Sequence, residues 1–73
     1  MSTTQQIHIL KTNIGSHEQK HAVIAGLEAL AEVIEASVDL EDCDKVLRVV
    51  TTAGITTIQN HLTLQGVQSS ELL

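Results

Sequence analysis

Residues 17–21 read His-Glu-Gln-Lys-His. Two histidines at i and i+4 share one face of a helix, and neutral imidazoles so placed bind Zn(II), Ni(II) or Cu(II). With Glu18 between them, the run formally matches the H-E-x-x-H pattern, in which the glutamate polarises a zinc-bound water for peptide hydrolysis. Three considerations argue against a protease. A chain of 73 residues is too short to build a substrate cleft around that helix. His61 is the only remote histidine downstream to serve as a third ligand. A cation held at the first helical turn also meets the positive end of the helix dipole. Two readings of His17 and His21 remain: a small metal site with Glu18 as a third donor, or exposed polar residues at a helix start.

Ser16 and Gln19 carry a different signal. Their spacing fits a capping box, in which the serine hydroxyl and the glutamine amide reciprocally satisfy backbone donors at a helix N-terminus. Cys43, the single cysteine, lies between Asp42 and Asp44 and reads as an unreactive turn residue. His8 lies on a strand and reads as surface-facing, since a core position would demand a hydrogen-bond partner. His61 reads as a solvent-side helix residue. There is no glycine-rich phosphate loop, and Ser16 beside His17 is no nucleophile–base pair, because adjacent helical residues point in different directions.

The elements that must position these residues are legible from periodicity. Residues 1–5 are polar and read as a frayed end. Gln6 to Thr12 is rich in β-branched residues and alternates partially, which predicts a strand. Asn13-Ile14-Gly15 interrupts it, with Gly15 supplying backbone freedom. Ser16 opens a helix in which Val23, Leu27, Leu30 and Ala31 recur at helical spacing, ending between Leu30 and Glu32. Gly26 inside that helix costs roughly 1 kcal/mol against Ala and is tolerable where a neighbour packs close to it. Val33 to Leu40 and Lys45 to Thr51 read as the two strands of a hairpin around the polar turn Glu41 to Asp44. Ile55, Ile58 and Leu62 predict a second helix stopped by Gly66, and Val67 to Leu72 a last short strand. The order β-α-β-β-α-β, read over 1–73 as one domain, is an α+β ferredoxin-like sandwich: one antiparallel four-stranded sheet with two helices on one face.

With these residues in place, the chain resembles the heavy-metal-associated domain family, the fold of copper chaperones and of N-terminal modules of metal-exporting ATPases. The resemblance covers roughly residues 7–72. It is carried by Lys11 to Ile14, by Val38 to Val50 (VDLEDCDKVLRVV) and by Leu64 to Leu72 (LQGVQSSEL). The family places two cysteines, separated by two residues, on the loop before the first helix. Counted from Ile14, those positions fall here on Ser16 and Gln19, and neither supplies a thiolate. Soft-metal capture by paired sulfurs is therefore missing at its usual place. The resemblance implies a metal-binding or metal-transport accessory domain with a metal transporter as partner. The residues themselves favour lost soft-metal binding.

Composition narrows the remaining classes. The chain is 42% hydrophobic yet contains no Phe, Tyr or Trp, so its core is aliphatic. No apolar run approaches the roughly 20 residues of a membrane helix, and residues 1–11 lack the basic-then-apolar pattern of a signal peptide. One cysteine suits a reducing cytoplasm. The formal net charge is −5, with seven carboxylates and no Lys or Arg between residues 21 and 44. Such a chain repels phosphate backbones and lacks aromatics for base stacking, which excludes nucleic acid as a partner. The acidic stretch suits a solvated face or a protein with a basic surface. Two functions follow, and neither is an enzyme. One is an accessory metal-handling domain. The other is a metal-independent interaction module, or a homodimer, that kept the fold and lost the ion.

Overall fold

The computed structural model describes residues 4–72. Most of the frayed end expected at 1–5 thus lies outside the described residues; Thr4 and Gln5 are exposed and form no regular element. The chain runs β1 (Gln6–Thr12), α1 (His17–Glu28), β2 (Val33–Asp39), β3 (Val46–Thr51), α2 (Ile55–Leu64) and β4 (Ser69–Glu71). The strands form one antiparallel sheet in the order β2-β3-β1-β4. This is the expected β-α-β-β-α-β sandwich, with β1 and β3 central.

The period-2 strands divide the sheet into two faces. Leu10, Leu47, Val49, Ala36 and Val38 point inward, where Val23 and Leu27 of α1 and Ile58 and Leu62 of α2 meet them. The core is wholly aliphatic, and each fully buried Leu, Ile or Val contributes about 1.5–3 kcal/mol of transfer free energy. Three buried polar residues close its margins, each with a hydrogen-bond partner. His8 Nε2 donates to the Ala53 carbonyl at 3.1 Å, Thr12 Oγ1 to Lys45 O at 2.6 Å, and Thr51 Oγ1 to Glu32 O at 2.8 Å.

Several boundaries differ from the sequence expectation. Helix α1 stops at Glu28, and Leu30 N bonds back to Leu27 O at 3.0 Å. The cause is tertiary: Thr51 Oγ1 and Thr52 N both bind Glu32 O, so β2 must begin at Val33 and the chain has to turn before it. Ala31 is exposed in that turn instead of lining the helix. Lys45 adopts a left-handed conformation (φ 48°) to close the hairpin, so β3 begins one residue later. Gly15 is not in the left-handed region, so its freedom goes unused, whereas Gly66 is (φ 78°). At Gly66, Val67 N bonds Leu62 O and Gly66 N bonds Thr63 O, the paired bonds of a Schellman stop.

Candidate metal-loop site

The loop from Asn13 to Ser16 joins central strand β1 to α1. Its anchor is Ile14, fully buried in the core. Thr12 fixes the strand end from below, since its hydroxyl donates to Lys45 O and accepts from Ile14 N at 3.3 Å. Thr12 N also bonds Asp44 O at 3.0 Å, which brings the β2–β3 hairpin turn to the same end of the domain as the loop. On the other side, Asn13 N donates to Gln68 O, and Asn13 Oδ1 accepts from Gln68 N at 3.0 Å. A shallow open groove lined by Lys11, Thr12, Asn13, Gln68, Ser69 and Ser70 runs beside it.

Ser16 and Gln19, the two positions that the sequence resemblance sets against the family's cysteines, form a hydrogen-bonded cap. Ser16 is the N-cap of α1, and its Oγ accepts from Gln19 N at 3.1 Å. Gln19 Oε1 accepts from Gly15 N at 3.0 Å, reaching one residue beyond the usual reciprocal partner. Both side chains are neutral oxygen donors, and both acceptors already hold backbone N–H groups. Such a pair does not fit a soft ion such as Cu(I), which selects thiolate and thioether sulfur.

The histidines are placed differently from one another. His17 and His21 stand exposed on the first two turns of α1, with exposed Glu18 between them. Among the described residues, one group of three side chains has potential ligand atoms within 4.8 Å of each other: Asp42, Cys43 and Asp44. It contains neither His17 nor His21, so these and Cys43 are not gathered into a three-donor site. Cys43 is exposed and free. Its carboxylate neighbours have local duties: Asp42 Oδ1 accepts from Asp44 N at 2.8 Å, and Asp44 Oδ1 lies 3.7 Å from Lys11 Nζ.

Two histidines depart from expectation. His8 faces inward, only 7% exposed, because it shares the phase of Leu10 and Thr12 along β1. His61 is half-buried rather than solvent-side, and its Nε2 is a buried atom with no hydrogen-bond partner among the described residues. The absence of a Cβ on Gly26 makes room for this packing, since a methyl there would overlap the Gln65 side chain and lie 3.2 Å from His61 Nε2. Thr12 and Thr51 were not singled out from the sequence. The available signal was their phase with inward-facing Leu10 and with Leu47 and Val49.

No protein-family model matches the chain, and no curated protein matches it. Solved structures do. The first domain of the human copper chaperone for SOD1, in its copper(I)-loaded form, superposes with a TM-score of 0.85 at 25% identity, over 94% of each chain. Oxidized MerP from Ralstonia metallidurans CH34 gives 0.84 at 14% identity, covering 96% of this chain and 100% of its own. The putative copper-ion-binding protein from Bacillus anthracis str. Ames gives 0.82 at 15%, covering 94% and 100%. At the two lower identities the likeness is one of fold alone.

Proposed function

Because this chain is a heavy-metal-associated-like domain with no cysteine pair in its loop, we propose that it is a small accessory module of the metal-transport type, deficient in soft-metal capture. One observation carries the reading: the Ser16–Gln19 cap consumes the positions where thiolates would sit. A thiolate pair is stabilised at a helix N-terminus by free N–H groups and the dipole. Here the cap satisfies Gly15 N and Gln19 N without an ion. His17 and His21 are the remaining donors near the loop, and in this reading they give at most weak binding of Zn(II), Ni(II) or Cu(II). The H-E-x-x-H match is incidental, and the domain is not an enzyme. A single exposed thiol suits a reducing cytoplasm.

A second reading is a metal-independent interaction module. It is favoured by the aliphatic side chains on the open face of the sheet, where Ile7 is 53% exposed and Leu72 42%. Its partner would be a metal transporter, another protein with a basic surface, or a second copy.

Amide NMR of metal-stripped protein, titrated anaerobically with Cu(I) and separately with Zn(II) and Ni(II), tests the first reading. The expected result is no saturable Cu(I) shift in residues 14–21. Saturation there at one Cu(I) per chain overturns the claim of deficiency. Weak Zn(II) or Ni(II) shifts lost in His17→Ala or His21→Ala assign the residual donors.

A further inference from the structure

The open sheet has two edges, and they are built differently. The bond from Leu72 N to Ile9 O (2.9 Å) fixes the hydrogen-bond phase of the whole sheet, because backbone groups of successive strand residues point to opposite sides. Ile9 and Lys11 thus face β4, and His8 and Leu10 face β3. Through the register, Leu47 and Val49 face β1, Arg48 and Val50 face β2, and their bonded partners on β2 are Ser37 and Glu35. The N–H and C=O groups of Ala36 and Val38 therefore point away from the sheet. Neither residue has a backbone hydrogen-bond partner on that side among the described residues.

The β4 edge is guarded in ways that the β2 edge is not. β4 has three residues, and Glu71 lies opposite Leu10, so a carboxylate shares the phase of the core-facing side chains there. Short length and an inward-phase charge both oppose addition of a strand. β2 runs for seven residues with no Pro and no Lys, and its inward-phase side chains Val33, Ala36 and Val38 are aliphatic. A bulge between Val33 and Glu35 limits regular pairing to residues 35–39. On the outward face of that stretch lie Glu35, Ser37 and Asp39, all exposed. Arg48, opposite Ser37, is diagonal to both acids but forms no ion pair with either among the described residues.

Those acids select the occupant. Residues directly opposite on adjacent strands attract when their charges are unlike and repel when they are like. A second copy of β2 would set carboxylates against carboxylates, since the strand carries Glu35 and Asp39 and no cation. The surrounding chain adds Glu28, Glu32 and Glu41, with no Lys or Arg from residue 21 to residue 44. We propose that the open edge of β2 binds an extended segment of another protein as a fifth strand. That segment carries Lys or Arg at alternate positions, facing Glu35 and Asp39, with β-branched aliphatic residues between them beside Ala36 and Val38. Main-chain bonds to Ala36 and Val38 hold it, and the acids choose it. The proposal rests on the interaction reading and deepens it, by naming the chemistry of the partner and the element that meets it.

Amide NMR of the metal-stripped full chain, titrated with a synthetic peptide of about seven residues alternating Lys with Val, tests it. The expected result is saturable shifts centred on residues 35–39 and slowed amide exchange at Ala36 and Val38. The dissociation constant should be roughly 10 μM to 1 mM and rise with salt. A peptide with Glu in place of Lys should bind at least about tenfold more weakly, and so should the Lys peptide with its pairing-side backbone nitrogens methylated. Glu35→Lys combined with Asp39→Lys, both at exposed positions, should weaken the Lys peptide to a similar degree. Should that variant fail to fold, the three peptides on the wild-type chain still decide. No binding up to about 1 mM peptide overturns the proposal. Shifts that fall on α1 or the hairpin turn, or equal binding of the methylated or the Glu peptide, overturn it too. A silent edge with a loop that takes no Cu(I) sinks the edge proposal alone, whereas saturable Cu(I) capture by the loop counts against the interaction reading itself.

Discussion

The two strand-to-helix turns are built on one device and finished differently. Thr12 ends β1 and Thr51 ends β3. Each hydroxyl donates to a carbonyl of a neighbouring segment and accepts the N–H two residues onward: Lys45 O and Ile14 N for Thr12, Glu32 O and Ala53 N for Thr51. Beyond that point they diverge. The first turn is closed by Ser16 and Gln19 and tied to Gln68 on its far side, whereas the second reaches α2 through Gly54, which makes no side-chain cap. The first turn is therefore the more restrained of the two. In the proposed reading, its polar closure stands where a metal-binding relative would carry sulfur ligands.

Replacing that closure by sulfur should have the largest effect. The double variant Ser16→Cys with Gln19→Cys puts two thiolates at a helix N-terminus, where N–H groups and the dipole favour them. One Cu(I) per chain should then survive a chelator that strips the wild type, read by anaerobic competition. If the variant holds copper no better than the wild type, the donor set is not the reason for deficiency. The ties of Asn13 and Thr12 to Gln68 and Asp44 would then be the obstacle, and the contrast between the turns would be one of rigidity rather than chemistry.

The shared device gives the next effect. Thr12→Val and Thr51→Val keep shape but strip the hydroxyl from two buried positions: the first takes a partner from Lys45 O and Ile14 N, the second leaves Ala53 N without its acceptor while Glu32 O keeps Thr52 N. Each should cost about 1–3 kcal/mol, read from urea midpoints at unchanged m-value. Similar losses support one device used twice. A loss confined to Thr51 would mean that the ties on Asn13 and Asp44 hold the first turn without Thr12.

Ser16→Ala tests the closure alone. Loss of an N-cap hydroxyl costs about 1 kcal/mol, and amide exchange should quicken at Gln19, whose N–H loses its acceptor. An unchanged urea midpoint would demote the cap to a surface bond of no energetic weight.

How far the sequence revealed this contrast depends on the range of the interactions. The Ser16–Gln19 cap was legible because both partners lie within four residues, and the Gly66 stop for the same reason. β1 was legible to the residue, because Gln6 to Thr12 is rich in β-branched residues, alternates in part and is bounded by Asn13-Ile14-Gly15. The threonine device was not, since its carbonyl partners lie 33 and 19 residues away in sequence. The end of α1 was missed for a related reason: Leu30 and Ala31 keep the helical spacing, and only the bonds from Thr51 and Thr52 to Glu32 O forbid its continuation. His8 and His61 show the same limit. Composition makes a histidine look exposed, and only strand phase or a facing glycine shows that it is not.

The smallest effect should come from giving the second turn what the first already has. Gly54 sits at the N-cap of α2 in extended backbone (φ −75°, ψ 162°), and a Cβ there meets nothing within 4 Å. Gly54→Ser can thus supply a hydroxyl acceptor to the first turn of α2 without strain, and it also narrows the unfolded ensemble. The capping gain over glycine is only a few tenths of a kcal/mol, and the entropic part adds about 0.4–1 kcal/mol. Thr57 N already bonds Gly54 O at 3.2 Å, so the new hydroxyl competes for a donor that is partly satisfied. The urea midpoint should rise by an amount corresponding to about 0.5–1 kcal/mol, smaller in magnitude than or similar to the loss in Ser16→Ala. A gain well above that would mean the open turn was a real weakness of the fold. No gain would mean that the core contacts of Ile55 and Ile58 already hold the start of α2, so that the first turn is capped for reasons local to its own loop.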